Sequence, residues 1–83
     1  MLYTISERAV KDLTKVSPEV RQRIISKLDY LGENDLFVSN SRLMAGNFGG
    51  LFRIRIGDYR AIFEFVDNKA TITRIGHRKD IYD

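Results

Sequence analysis

The stretch Leu51-Phe52-Arg53-Ile54-Arg55-Ile56-Gly57-Asp58-Tyr59-Arg60-Ala61-Ile62-Phe63-Glu64-Phe65-Val66 decides the fold. Apolar side chains recur at every second position on both sides of Gly57-Asp58. A period of two puts such residues on one face of an extended chain. Gly57-Asp58 then falls where a two-residue hairpin turn is needed. Glycine in the first turn position suits the II′ geometry, whose twist matches that of the flanking strands. If Ile56 pairs with Tyr59, then Phe52, Ile54, Ile56, Tyr59, Ala61, Phe63 and Phe65 share one apolar face that must be covered. The opposite face presents Arg53, Arg55, Arg60, Ile62 and Glu64. Asp67-Asn68 is a second turn signal, and residues 70–75 read as a third strand, so the second half of the chain is a three-stranded meander.

Upstream, the period becomes helical. Ser6 can cap a helix by accepting a backbone hydrogen bond. Ala9, Val10, Leu13 and Val16 follow as one apolar stripe. Ser17-Pro18-Glu19 is a second start signal: a capping serine, proline at the first helical position and an acid in the first turn. Val20, Ile24, Leu28 and Leu31 make the second stripe, and Gly32 is placed to end that helix. The short link between the stripes implies two antiparallel helices. Residues 2–5 are β-prone and can add to the sheet edge. Residues 33–50 hold three glycines and show no period, and are read as a short irregular or helical segment plus a loop. The expected fold is α+β: two N-terminal antiparallel helices packed on a small, mostly antiparallel sheet, one domain over residues 1–83.

Bulk composition narrows the function classes. A chain of 83 residues supports one modest core. The absence of cysteine excludes disulfides and thiolate metal sites, and a single histidine argues against structural zinc. No long apolar run or secretory leader pattern is present, so a cytoplasmic protein with no membrane partner and no cofactor is expected. No phosphate-binding loop, dinucleotide fingerprint, nucleophile elbow or zinc-protease motif occurs; Gly46-Asn47-Phe48-Gly49-Gly50 lacks the lysine and serine of a phosphate loop. Asp12, Glu19, Asp29 and Glu33 read as ordinary solvated acids on helices.

The formal net charge of +3 identifies no partner by itself. Its placement is more informative. Arg55 and Arg60 would face each other directly, an arrangement that destabilises a sheet. Exposed strand arginines are most simply a solvated face, and the alternative is an anion site, for which phosphate is the natural ligand of a guanidinium fork. The closing run Gly76-His77-Arg78-Lys79-Asp80-Ile81-Tyr82-Asp83 starts beside the central strand, near Arg60. His77 is the one side chain of a type that changes charge near neutral pH when unperturbed, and fits a structural or a catalytic role. Tyr82 fits a core anchor or a base-stacking residue, and Asp80 can pair with a basic neighbour.

At Gly50-Leu51-Phe52-Arg53-Ile54-Arg55-Ile56-Gly57-Asp58-Tyr59-Arg60 and again at the closing Gly-His-Arg-Lys-x-Ile-Tyr, the chain resembles the RelE/ParE toxin superfamily, and more closely its RelE branch. Arg42-Leu43 suits the loop that precedes the sheet in that family. The resemblance spans essentially the whole chain. It implies a type II toxin, a metal-independent endoribonuclease that cuts messenger RNA in the ribosomal A site with the neighbouring 2′-hydroxyl as nucleophile. Arg53 and Arg55 match the family's basic pair, Arg60 its hairpin arginine, Arg78 its tail arginine and Tyr82 its terminal tyrosine. Arg60 and Arg78 would stabilise the transition state, with Arg53, Arg55 and Lys79 holding phosphate, Tyr82 stacking on a base and His77 protonating the leaving oxygen. The best-studied branch carries lysines where this chain has Arg53 and Arg55. Arginine stays protonated, so the general base is left open between His77 and purely electrostatic catalysis. A ParE-like poison of DNA gyrase, without nuclease chemistry, is the competing expectation. Either implies a cognate antitoxin partner, and the nuclease also implies messenger RNA and the ribosome.

Overall fold

The hairpin that decides the fold is present in the expected register. In a computed structural model that describes residues 3–45 and 49–81, Ile56 pairs with Tyr59 and Arg55 with Arg60. The elements are β1 (Tyr3–Ile5), α1 (Glu7–Thr14), α2 (Pro18–Glu33), β2 (Arg42–Leu43), β3 (Leu51–Ile56), β4 (Tyr59–Val66) and β5 (Lys69–His77). They form a five-stranded sheet of order β1-β5-β4-β3-β2, antiparallel except for the parallel pair β1–β5. The fold is thus α+β with two helices on a mostly antiparallel sheet. The helices follow β1 rather than opening the chain.

The turns obey their chemistry. Gly57 has φ +60° while Asp58 stays on the negative side, as a II′ turn requires. Asp67 and Asn68 both take left-handed φ (52° and 63°), the I′ pattern that Asp and Asn tolerate because their short side chains relieve the steric penalty.

Both helix starts are capped as the sequence indicates. Ser6 Oγ accepts from Ala9 N–H at 3.2 Å, and Ser17 Oγ from Val20 N–H at 3.3 Å. The end of α2 differs from expectation. Gly32 is buried inside the last turn, and the helix closes two residues further on. Asp35 supplies the left-handed residue (φ 54°), Asp35 N–H bonds Gly32 O, and Leu36 N–H bonds Leu31 O at 2.9 Å. That is the Schellman pattern, with aspartate where glycine is usual. Leu36 turns back against the core, and Phe37 is buried beyond it.

The apolar face of the hairpin is the floor of the core. Phe63 lies at its centre, stacked on Phe52 at 5.3 Å and met edge-on by Phe37 at 5.4 Å. Ile24, Leu28 and Leu31 of α2, Ala9 and Leu13 of α1, and Ala70, Ile72 and Ile75 of β5 complete it. Val10, expected in the α1 stripe, is 48% exposed. At 100° per residue the inward positions of α1 are 9, 12 and 13, and residue 10 rotates off that face. Tyr3 joins the rim of the core, its hydroxyl donating to Asp29 Oδ1 at 2.7 Å. Burial first, and then that carboxylate, push the phenol's pKa up, so it remains a donor.

The residue at inward position 12 is the main correction to the sequence reading. Asp12 is a buried acid, not a solvated one. Its Oδ2 accepts from Ile75 N–H at 2.9 Å and from Arg74 Nε at 3.1 Å, and its Oδ1 lies 3.5 Å from Arg8 Nε. β1 covers β5 only from Ala70 to Ile72. Beyond that the outer edge of β5 would expose an unpaired amide, and the Asp12 carboxylate caps it.

Asp12→Ala leaves the Ile75 amide buried without a partner and Arg74 without its counter-ion, and is expected to cost ~2–3 kcal/mol. Asp12→Asn, which keeps an acceptor, recovers part of that. Urea unfolding of the two variants checks this; an Asp12→Ala midpoint equal to that of the parent chain would refute the clamp.

Candidate anion-binding groove

The face of the sheet away from the helices carries an open groove of about 740 Å³, lined by Ser41 and six basic residues: Arg42, Arg53, Arg55, Arg60, Arg78 and Lys79. Strand alternation puts Arg53 and Arg55 of β3 and Arg60 of β4 on this face. Arg42 arrives on β2, paired directly with Arg53. Arg78 and Lys79 come from the turn that follows β5. The first 40 residues hold six basic and six acidic side chains and the remaining 43 hold eight and five, so the whole net charge sits in the half that builds the groove.

The positive heads are held to different degrees. Arg60 Nη1 donates to the carbonyl oxygens of Gly57 (3.0 Å) and Tyr59 (2.9 Å), so the hairpin turn fixes its guanidinium and leaves other donors free to meet a ligand. Arg78 N–H donates to Asp58 O at 2.8 Å, and its Nε lies 3.8 Å from Asp58 Oδ1. Both of those side chains are well exposed, so this ion pair is weak and easily exchanged for a phosphate. Arg42, Arg55 and Lys79 form no ion pair among the described residues. Convergent guanidinium groups on a low-dielectric sheet focus a positive field suited to a polyanion.

Of the residues singled out in the sequence, Arg53, Arg55, Arg60, Arg78 and Lys79 come together in this groove. His77 does not. Thr73 is an extra residue in β5: Ile62 pairs with Arg74 and Phe63 with Ile72, and Thr73 Oγ1 donates to Ile62 O at 3.2 Å. This bulge advances the alternation by one, so Ile75 and His77 fall on the helix side and Gly76 on the groove side. A bulge at Gly76 would have returned His77 to the groove. The irregularity lies at Thr73 instead, and Gly76 stays in register with Arg60. The His77 ring meets Tyr59 edge-on at 5.4 Å, and its Nδ1 accepts from Lys79 N–H at 3.2 Å, which helps shape the turn carrying the basic pair. Tyr82 lies outside the described residues.

Two groove residues were not singled out as site residues. Ser41 and Arg42 sit in the segment whose glycines, serines and asparagines obscure any period, although Arg42-Leu43 was placed just before the sheet. Among the described residues no group of three or more histidines or acids is placed to hold a metal ion, and no helix is long and apolar enough to cross a membrane.

The architecture of two helices on a five-stranded sheet is shared with solved structures. A chain of the RelBE2 toxin–antitoxin complex of Mycobacterium tuberculosis superposes with a TM-score of 0.79 at 24% identity, over 94% of this chain and 100% of that one. A chain of the RelB–RelE complex of Methanococcus jannaschii gives 0.74 at 26% (96% and 95% covered), and one of the archaeal RelE–RelB complex of Pyrococcus horikoshii gives 0.72 at 25% (96% and 99%). No curated protein sequence matches the chain. The family model of the ParE toxin of type II toxin–antitoxin systems matches residues 3–82, and the chain belongs to that family, within the RelE/ParE superfamily.

The Arg55–Arg60 pair stores repulsion in the fold. Arg55→Thr is expected to raise stability by ~0.5 kcal/mol at low ionic strength, with the gain shrinking as salt rises past about 0.1 M. Urea midpoints of parent and variant at two salt concentrations check it, and a variant less stable than the parent at low salt would contradict it.

Proposed function

We propose that this toxin is a metal-independent endoribonuclease that binds messenger RNA in the groove and cuts it in the ribosomal A site, so inhibiting translation. The observation that carries the reading is the convergence of six basic side chains in one groove, with Arg60 fixed among them by two carbonyls of its own turn. In the reaction the 2′-oxygen attacks the adjacent phosphorus and gives up its proton. The bond to the 5′-oxygen breaks, a 2′,3′-cyclic phosphate forms, and the leaving oxygen takes up a proton. Negative charge builds on the non-bridging oxygens, where fixed guanidinium donors stabilise the transition state more than the ground state. Arg60 and Arg78 take that role; Arg53, Arg55 and Lys79 hold the flanking phosphates and bring the attacking oxygen into line. With His77 on the helix side, the proton transfers fall to water or a ribosomal group, and catalysis is electrostatic. Tyr82 is assigned to base stacking. The chain acts as one domain in the cytoplasm.

The RelB–RelE chains from the two archaea come from toxin–antitoxin complexes. They support a cognate antitoxin for this chain, a segment that folds as it binds. A second reading, poisoning of DNA gyrase, is favoured by the match to the ParE model. The basic hairpin pair, hairpin arginine and tail arginine together favour the nuclease.

Purified protein added to a reconstituted translation system is expected to cut messenger at positions mapped by primer extension, only when ribosomes are present. Arg60→Ala and Arg78→Ala should each slow cutting by roughly a hundredfold or more. Cuts on naked RNA would keep the nuclease and remove the ribosome requirement. Intact messenger with translation unaffected, together with inhibited supercoiling by gyrase, would replace this reading with the second one.

A further inference from the structure

The groove face carries a small apolar cluster separate from the main core. Met44, Ile62 and Ile81 are buried there beside Leu51. Ile62 shares its face with Arg60, so this cluster lies on the same side of the sheet as the groove. Ile81 belongs to the turn after β5, which folds back through Asp80 N–H and Ile81 N–H to His77 O (2.9 and 3.1 Å). Without that return the chain would leave the sheet along the direction of β5, taking Arg78 and Lys79 with it.

Gly76 lies directly beneath the returned Ile81. A Cβ at this position would stand 3.4 Å from Ile81 Cβ and 3.6 Å from both Cγ1 and Cδ1. The glycine has no left-handed φ, and those distances are ordinary van der Waals contact, so a single methyl group fits against Ile81. The branched atoms of a valine would extend beyond that contact toward Ile81.

We propose that Ile81, seated over Gly76 and against Ile62 and Met44, is a positioning residue: an apolar latch that holds Arg78 and Lys79 at the groove and thereby sets its affinity for a phosphodiester backbone. The affinity part rests on the reading that the groove binds RNA; the latch itself does not. Ile81 touches no ligand, and its effect passes through the two basic residues it anchors.

Two measurements test it. The first is native-state trypsin digestion, which reports opening of the turn at Arg78 and Lys79. Ile81→Ala should be cut there roughly tenfold faster than the parent chain, with Ile81→Leu close to the parent and Gly76→Val close to Ile81→Ala. The second is the anisotropy of a labelled single-stranded 2′-O-methyl RNA of about ten nucleotides, which cannot be cleaved. Ile81→Ala should weaken binding roughly tenfold, the size of one lost charge-assisted contact, and Ile81→Leu should restore it. In an Arg78→Ala/Lys79→Ala background, Ile81→Ala should have no further effect. Unchanged trypsin cutting in Ile81→Ala, or a further loss of binding in that background, would overturn the latch. A parent chain that binds no RNA would overturn the groove reading, and the trypsin comparison would then decide the latch alone.

Discussion

Everything in this molecule hangs on the register of the β3–β4 hairpin. Side chains on a strand alternate with a period of two, so a slip of one residue exchanges the faces completely. In the observed pairing Ile54, Ile56, Ala61 and Phe63 go under the helices while Arg53, Arg55 and Arg60 go to the groove. A slip would bury the guanidinium groups against Leu28 and Phe37, at a cost no packing could offset. The two-residue turn at Gly57-Asp58 and the face-wide demand for burial therefore enforce each other. Core and groove are two results of one constraint, and neither can be altered without touching the other.

The groove keeps its charge at the expense of the fold. Arg55 and Arg60 are direct cross-strand partners and Arg42 and Arg53 are another such pair. Like charges in those positions oppose the sheet. The compensation is structural. Arg60 binds the carbonyls of its own turn, Arg78 leans toward Asp58, and the Asp12 carboxylate on the far edge secures β5 through Ile75 and Arg74. The acid that stabilises lies outside the groove, and the bases that repel lie inside it. Such a division suits a surface shaped to receive a polyanion.

Much of this is legible in the sequence alone. Period-two alternation and the Gly57-Asp58 turn are strong signals, and they predicted the hairpin residue for residue, including which arginines share a face. The serine caps and the α2 stripe are equally open to reading; the α1 stripe is so only in part, since Val10 faces outward and Asp12 inward. What stayed hidden has physical reasons. Asp12 looks like any helical acid, because its value comes from an amide of Ile75, 63 positions away. The bulge at Thr73 carries no glycine or asparagine to mark it, yet it decides that His77 faces the helices. β2 is two residues long, too short for a period, so Arg42's place in the groove could not be seen. Ile81 and Gly76 look like tail and strand, and their partnership exists only after the turn folds back.

The parallel pairing of β1 with β5 has a consequence for how the chain reaches this state. Tyr3 sits opposite Ala70, so β1 waits for β5, some sixty-seven residues further on, before it can be placed. Closing so long a loop costs entropy that only the finished sheet returns. The first half of the chain can make its capped helices early, but the edge of the sheet, the Asp12 clamp and the basic turn all depend on β5. Until β5 is in place the groove lacks its basic turn, and its assembly is timed by the order of the topology.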